Sequence, residues 1–182
     1  MMTPEALLSE TILYQGKVVT LAKQTVRLAD GQTADREVVH TTGSAAILAL
    51  NGDQALFVSQ WRAPLKQATI ELPAGRIEVG EAPLVTAARE LNEEAGLKAN
   101  KLTPLTQFYQ AAGFSDALCH VFLAEDLTSV VAKRPQDVGK FVDAQWLTLR
   151  EAQALLAQGV ICDAKTVLGL ALWANMKGSA NG

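Results

Sequence analysis

Residues 83–96, PLVTAARELNEEAG, constrain the fold more than any other stretch, because both ends of a helix are written into them. Pro83 suits a first-turn position, where its missing N–H would be unpaired anyway, and Gly96 suits the left-handed residue that closes a helix. Between them Leu84, Ala87, Ala88, Leu91 and Ala95 form an apolar stripe, with Arg89, Glu90, Glu93 and Glu94 in the opposite sector of the wheel. One face packs and the other is polar.

Glu93 and Glu94 lie three and four positions beyond Glu90, so in a helix rising about 1.5 Å per residue they share its face. A solvated face is one reading of that polar sector. Against it, like charges at this spacing cost about 0.2–0.5 kcal/mol per pair, and a helix C-terminus also disfavours anions. A bound divalent cation offsets both penalties. Oxygen-only ligands suit hard ions, which makes Mg2+ the first expectation and Mn2+ the second.

The rest of the chain supplies a sheet for such a helix to pack on. Extended segments are expected near 10–15, 17–28 and 34–41, with turns at Gly16 and at Asp30-Gly31, a small N-terminal sheet. Ala45–Leu50 and Ala55–Gln60 flank Asn51-Gly52-Asp53 and carry the apolar density of central strands. Beyond residue 97, strands are expected over Leu105–Ala111, Cys119–Ala124 and Phe141–Trp146. Helices are expected over Leu149–Gln158, ending at Gly159, and over Ala164–Met176.

Composition narrows the function classes. A chain of 182 residues, 49% hydrophobic, suffices for one full core. With a net charge of −3 and no lysine–arginine cluster, a nucleic-acid partner is not expected. No apolar run approaches the roughly 18 residues of a membrane span, so no membrane association is expected either. Cys119 and Cys162, without CxxC spacing, read as buried free thiols, and with no signal-like N-terminus the expected setting is cytoplasmic.

Gly75, five residues, Glu81, seven residues, then Arg89-Glu90-Leu91-Asn92-Glu93-Glu94-Ala95-Gly96-Leu97 resembles the Nudix box at every defining position. The flanking segments FVSQWRAP at 57–64, ELPAGRIE at 71–78, GFSDALCHVFLAEDL at 113–127 and DAKT at 163–166 are similar to the ADP-ribose pyrophosphatase branch of that family. The resemblance implies an α/β fold, a Nudix-type α/β/α sandwich with a mixed central sheet and a small N-terminal antiparallel sheet. Its expected organisation is a dimerising sheet region at 1–44, a catalytic domain at 45–177 and a disordered tail at 178–182.

The same resemblance implies metal-dependent hydrolysis of the pyrophosphate of ADP-ribose or a related nucleotide sugar. It assigns Glu90 and Glu94 as metal ligands, helped by the Ala74 carbonyl, with Glu93 bonding metal or water. Gly75 would let that backbone turn inward. Arg89 either orients Glu81 and the neighbouring carboxylates or touches a phosphate, the first being favoured. Arg36 and Arg62 match substrate-contacting positions, in part across a homodimer. Glu71 has two readings, accepting hydrogen bonds from an adenine or ribose edge or pairing with Arg62.

His40 and His120 read as structural and Trp61, Trp146 and Trp173 as packing residues, although Trp61, beside Arg62, alone has a positional reason to stack on a base. Two positions depart from the branch. Ala111-Ala112-Gly113 stands where a proline is usual, and 136–140 offers only Asp137 where an acidic loop supplies a catalytic glutamate. The expectation is that Asp137 substitutes for that glutamate with a shorter reach, that a box carboxylate such as Glu93 orients the water, or that the enzyme is slow or altered. The alternative function is a ligand-sensing or non-catalytic module built on the same domain. A mean hydropathy of +0.13 with an apolar N-terminal sheet also points to a homodimer.

Overall fold

The Asp30-Gly31 pair turns the chain where a hairpin is expected. Gly31 takes φ 86°, Leu28 and Gln32 close the turn through a 2.8 Å hydrogen bond, and the Asp30 carboxylate accepts from the Gln32 N–H. The turn joins the last two strands of an antiparallel sheet made of β1 (Ala6–Gln15), β2 (Thr20–Arg27) and β3 (Thr33–His40). This computed structural model describes residues 4–135 and 142–179. The three strands belong to one compact unit, formed by the chain up to Gly43 together with Phe108–Leu118.

Within that unit β3 is held to the 111–118 turn by a short ladder. Val39 donates to the Phe114 carbonyl and accepts from Asp116 N–H. The Asp116 carboxylate then receives Thr41 N–H at 2.9 Å and lies 2.6 Å from His40 Nδ1. That bond raises the His40 pKa above its ordinary value, against a smaller opposing effect of burial. His40 is thus the hydrogen-bonded structural histidine the sequence describes. Along β1, by contrast, Leu7, Leu8, Ile12, Leu13 and Tyr14 are all exposed.

The second unit, Ser44–Gln107 with the chain from Cys119 onward, is built on a seven-stranded sheet. Its path runs β10 (Asp143–Thr148), β5 (Gln54–Arg62), β4 (Ser44–Asn51), β9 (Leu118–Ser129) and β8 (Leu97–Tyr109). β6 (Gln67–Glu71) pairs with β5, and β7 (Ala74–Arg76) with β4. The sheet is mixed because β4 and β9 run parallel while β4 and β5 form the antiparallel hairpin expected at Asn51-Gly52. Strand alternation then sorts the core into two layers. Ala45, Ile47, Ala49, Leu56, Phe122 and Ala124 pack with Ala87 and Leu91 of α1 (Pro83–Ala95). Leu48, Phe57 and Leu123 pack on the other side with Ala152 of α2 (Leu149–Ala157) and Leu170 and Trp173 of α3 (Ala164–Ser179). An α/β/α sandwich results.

The departures from expectation are local. β6 and β7 lie in the Gly- and Pro-containing stretch read as loop, where short strands leave no visible alternation. β8 starts at Leu97, straight after the helix cap, rather than at Leu105. α3 runs on through Gly178 to Ser179, past the expected end at Met176 and into the segment read as tail. Phe141, the expected start of the strand at 143–148, lies outside the described residues. Cys119 is buried, but Cys162 is exposed. No helix among the described residues is long and apolar enough to cross a membrane.

Candidate active site

α1 begins and ends as its sequence requires. Ala82 is extended, Pro83 occupies the first turn, and Gly96 takes the left-handed conformation at φ 66° with its N–H on the Asn92 carbonyl. The buried face, however, is rotated from the apolar stripe. Thr86, Ala87, Glu90, Leu91 and Glu94 are buried, whereas Leu84 and Ala88 face outward. Glu90 is 2% exposed and Glu94 0%. Two carboxylates that a helical wheel assigns to solvent therefore lie inside, and only specific partners make that tolerable.

Arg89 is one such partner. Its guanidinium donates to Glu81 through Nε and Nη2, both at 3.0 Å, to Glu90 at 2.6 Å, to Glu93 at 3.2 Å and to the Arg76 carbonyl at 3.0 Å. A planar fork with fixed donors can serve that many acceptors from one position. Hydrogen bonds from Arg89, helped by the Thr86 hydroxyl at 2.7 Å, hold the Glu81 carboxyl down at about 2 despite its partial burial. In this geometry Arg89 orients carboxylates from α1 and from the loop before it.

β7 lies against the same carboxylates. A Cβ on Gly75 would sit 1.7 Å from Glu90 Oε1, so the side chain of Glu90 occupies the space that any other residue would need. Ala74 N–H donates to Glu94 Oε2 at 3.1 Å. At the far end of the helix, Lys133 Nζ donates to the Glu94 carbonyl at 2.9 Å, where a cation suits the macrodipole, and Arg134 N–H reaches the Asn92 side chain. Among the described residues no three His, Cys, Asp or Glu side chains are drawn together tightly enough to cage a metal ion.

A second cluster gathers on Glu71, which is 1% exposed at the end of β6. Oε1 accepts from Arg62 Nε at 2.7 Å and Thr69 Oγ1 at 2.5 Å; Oε2 accepts from Arg62 Nη2 at 2.6 Å and from Lys165. A carboxylate has about four acceptor sites, and these four bonds fill them. Of the two readings of Glu71, pairing with Arg62 is the one this geometry displays. Burial pushes the Glu71 carboxyl up, but Arg62, Lys165 and Thr69 outweigh it and hold it at about 2. Asp163 completes the cluster, 2.7 Å from Lys165 and accepting Thr166 N–H at 3.2 Å as α3 begins.

Sequence reasoning assigns no individual role to Asp163, Lys165 or Thr166. Their signal in the sequence is DAKT at 163–166, whose polar side chains open a helix that is otherwise largely apolar. Arg36 lies in the first unit, donating to Glu5 at 2.6 and 3.2 Å and to the Asp35 carbonyl. Asp137 lies outside the described residues. Trp173 is a packing residue, as expected, while Trp61 is 65% exposed at the edge of the β5–β6 pairing.

Comparison with known proteins gives this geometry a family. A profile of the NUDIX domain matches residues 40–168. An ADP-ribose pyrophosphatase of Bacillus subtilis (strain 168) is 40% identical over 167 residues, spanning 91% of this chain and 90% of that protein. A methanol dehydrogenase activator of Bacillus methanolicus is 38% identical over 87% of this chain and 86% of its own length. An ADP-ribose pyrophosphatase of Mycobacterium tuberculosis (strain ATCC 25618 / H37Rv) is 35% identical over 91% of this chain and 81% of its own. A crystal structure described as an ADP compounds hydrolase superposes with a TM-score of 0.87, covering 100% of this chain and 98% of that one at 19% identity, a likeness of fold. Profile, sequence and fold converge, and the chain is a member of the Nudix hydrolase family.

Proposed function

We propose that the protein hydrolyses the pyrophosphate bond of ADP-ribose or a related nucleoside diphosphate sugar, releasing a nucleoside monophosphate and a sugar phosphate, with Mg2+ or Mn2+ as cofactor. One observation carries the reading: two buried carboxylates meet the same short strand, Glu90 in the space left by the missing Cβ of Gly75 and Glu94 on the Ala74 N–H. The names of the relatives from Bacillus subtilis and Mycobacterium tuberculosis support the substrate class.

The donor chemistry, all oxygen, suits a hard divalent cation, and the Gly75 cradle lets Glu90 lie against main chain; the carboxylates would draw together to hold the ion. Glu90 and Glu94 would hold the ion with the Ala74 carbonyl, and Glu93 would bond it or a water. When bound, the ion neutralises phosphate charge and lowers the pKa of an attacking water. Arg89 keeps the carboxylates aligned while substrate binds. Arg62, clamped by Glu71, presents a 39% exposed side chain for a substrate phosphate or ribose. Asp137 or Glu93 takes the proton of the attacking water.

The exposed apolar residues of β1, with an edge that pairs only with β2 among the described strands, support a homodimer in which a second copy covers them. A cytoplasmic setting is consistent with two cysteines that form no disulfide.

The test is a panel of ADP-ribose, other sugar nucleotides, dinucleoside polyphosphates and NADH with Mg2+ or Mn2+, following monophosphate release. Turnover of ADP-ribose or a sugar nucleotide above the others is expected. Release from none of them would reject the reading and favour a ligand-sensing or non-catalytic module. Comparing Asp137→Ala with Glu93→Gln identifies the base, the larger loss of turnover marking it.

A further inference from the structure

Four consecutive residues, Glu71, Leu72, Pro73 and Ala74, are each tied to a different part of the second unit. Glu71 is held by Arg62 and Lys165, and the Leu72 N–H is held by Thr166 Oγ1 at 2.9 Å. The Pro73 carbonyl accepts Ile47 N–H at 2.9 Å, and Ala74 N–H reaches Glu94. Residues 165 and 166 thus grip the segment two or three residues before the backbone that meets the box carboxylates. Thr166 is 0% exposed and the Lys165 side chain 12%.

α3 adds a third contact one turn on. Gly169 lies inside the helix, where glycine is a poor choice compared with alanine. A Cβ there would stand 2.4 Å from Leu72 Cδ1, and Leu72, itself fully buried, has no free volume to retreat into. Positions 165, 166 and 169 therefore all address Glu71 and Leu72.

We propose that the start of α3 is a positioning element for the ion site: Lys165, Thr166 and Gly169 fix Glu71 and Leu72, and through them the position of the Ala74 backbone beside Glu90 and Glu94. The inference rests on the ion site proposed above. None of the three residues touches the ion. Removing the Thr166 hydroxyl leaves the buried Leu72 N–H unpaired, so the segment shifts to recover a bond and carries Ala74 with it. Substitutions behind a ligand set typically lower metal affinity about 10–100-fold.

The experiment is a Mn2+ titration without substrate, reading free Mn2+ by electron paramagnetic resonance, on wild type, Thr166→Val, Thr166→Ser, Gly169→Ala and Glu94→Gln. Amide exchange of residues 71–76 is followed in the same proteins without metal. Thr166→Val and Gly169→Ala are expected to bind Mn2+ about tenfold more weakly, with Thr166→Ser restoring affinity. Faster exchange at 71–76 with α1 still protected is expected alongside. Wild-type affinity in both Thr166→Val and Gly169→Ala overturns the proposal, as does a loss that Thr166→Ser fails to restore. If Thr166→Val does not fold, Lys165→Met and Gly169→Ala make the same comparison. Equal Mn2+ binding by wild type and Glu94→Gln would instead reject the ion site, and this proposal with it.

Discussion

Two clusters of charge in the second unit use the same side-chain types to opposite ends. Around Glu71, Arg62 and Lys165 face Glu71 and Asp163, and the buried carboxylate has its acceptor sites filled. On α1 the Arg89 guanidinium is shared by Glu81, Glu90 and Glu93, with Glu94 buried beside them. A balanced cluster contributes to the fold, and its buried carboxylate has no acceptor site left for a ligand even though Arg62 keeps an exposed side. A group of carboxylates gathered on one helix face attracts a divalent cation, at a cost in stability when none is bound. The comparison sets a carboxylate that is fully paired against carboxylates for which an ion site is proposed.

The largest expected effect breaks the second cluster. Glu94→Gln keeps an acceptor for Ala74 N–H but loses an ion ligand, so turnover should fall about 10³-fold, or ~4 kcal/mol of barrier, with little change in unfolding midpoint. Wild-type turnover would remove Glu94 from the ion site. Next, Glu71→Gln leaves two cations facing a neutral amide and should cost about 3 kcal/mol in urea unfolding at pH 7. That difference has a pH signature. The Glu71 carboxyl is held at about 2, below its ordinary 4.5, so its contribution is present above about pH 4.5 and fades as pH falls toward 2. A gap between wild type and variant that persists at pH 2 would contradict the assignment.

Gly75→Ala tests the cradle, because the added methyl must displace the Glu90 carboxylate. Mn2+ affinity and turnover should both drop about 10–100-fold. Smallest is Glu93→Gln, which relieves like-charge repulsion near a helix C-terminus and should leave metal-free stability unchanged or raise it by about 0.2–0.5 kcal/mol. A loss above ~1 kcal/mol, a typical single-mutant cost, would show that the two clusters are alike after all.

Much of this was legible in the residues. Pro83 and Gly96 bound the helix because backbone chemistry at helix ends is local, and Asp30-Gly31 and Asn51-Gly52 mark hairpins for the same reason. The box spacing identifies the carboxylates without any knowledge of the sheet. What the wheel misses is that Glu90 and Glu94 point inward, since hydrophobicity patterns place every glutamate outside. β7 escapes notice because three residues with a glycine at the centre carry no alternation. The pairing of Lys165 with Glu71 joins positions 94 residues apart, and no spacing rule encodes a contact between distant segments. Asp137 was singled out by resemblance alone and lies outside the described residues.

The parallel pairing of β4 with β9 has a kinetic consequence. β4 meets β5 across a tight turn and β7 across a modest loop, but Ser44 finds its register partner Cys119 only after the whole box has been spanned. Closing so large a loop is entropically the most demanding of β4's three pairings, and such non-local pairings slow folding. A nascent chain emerging as far as residue 107 already carries the hairpin, β7 and the box helix, yet half of the β4 backbone still awaits its neighbour. Glu90, Glu93 and Glu94 are synthesised, and can begin to assemble on α1, before β9 exists.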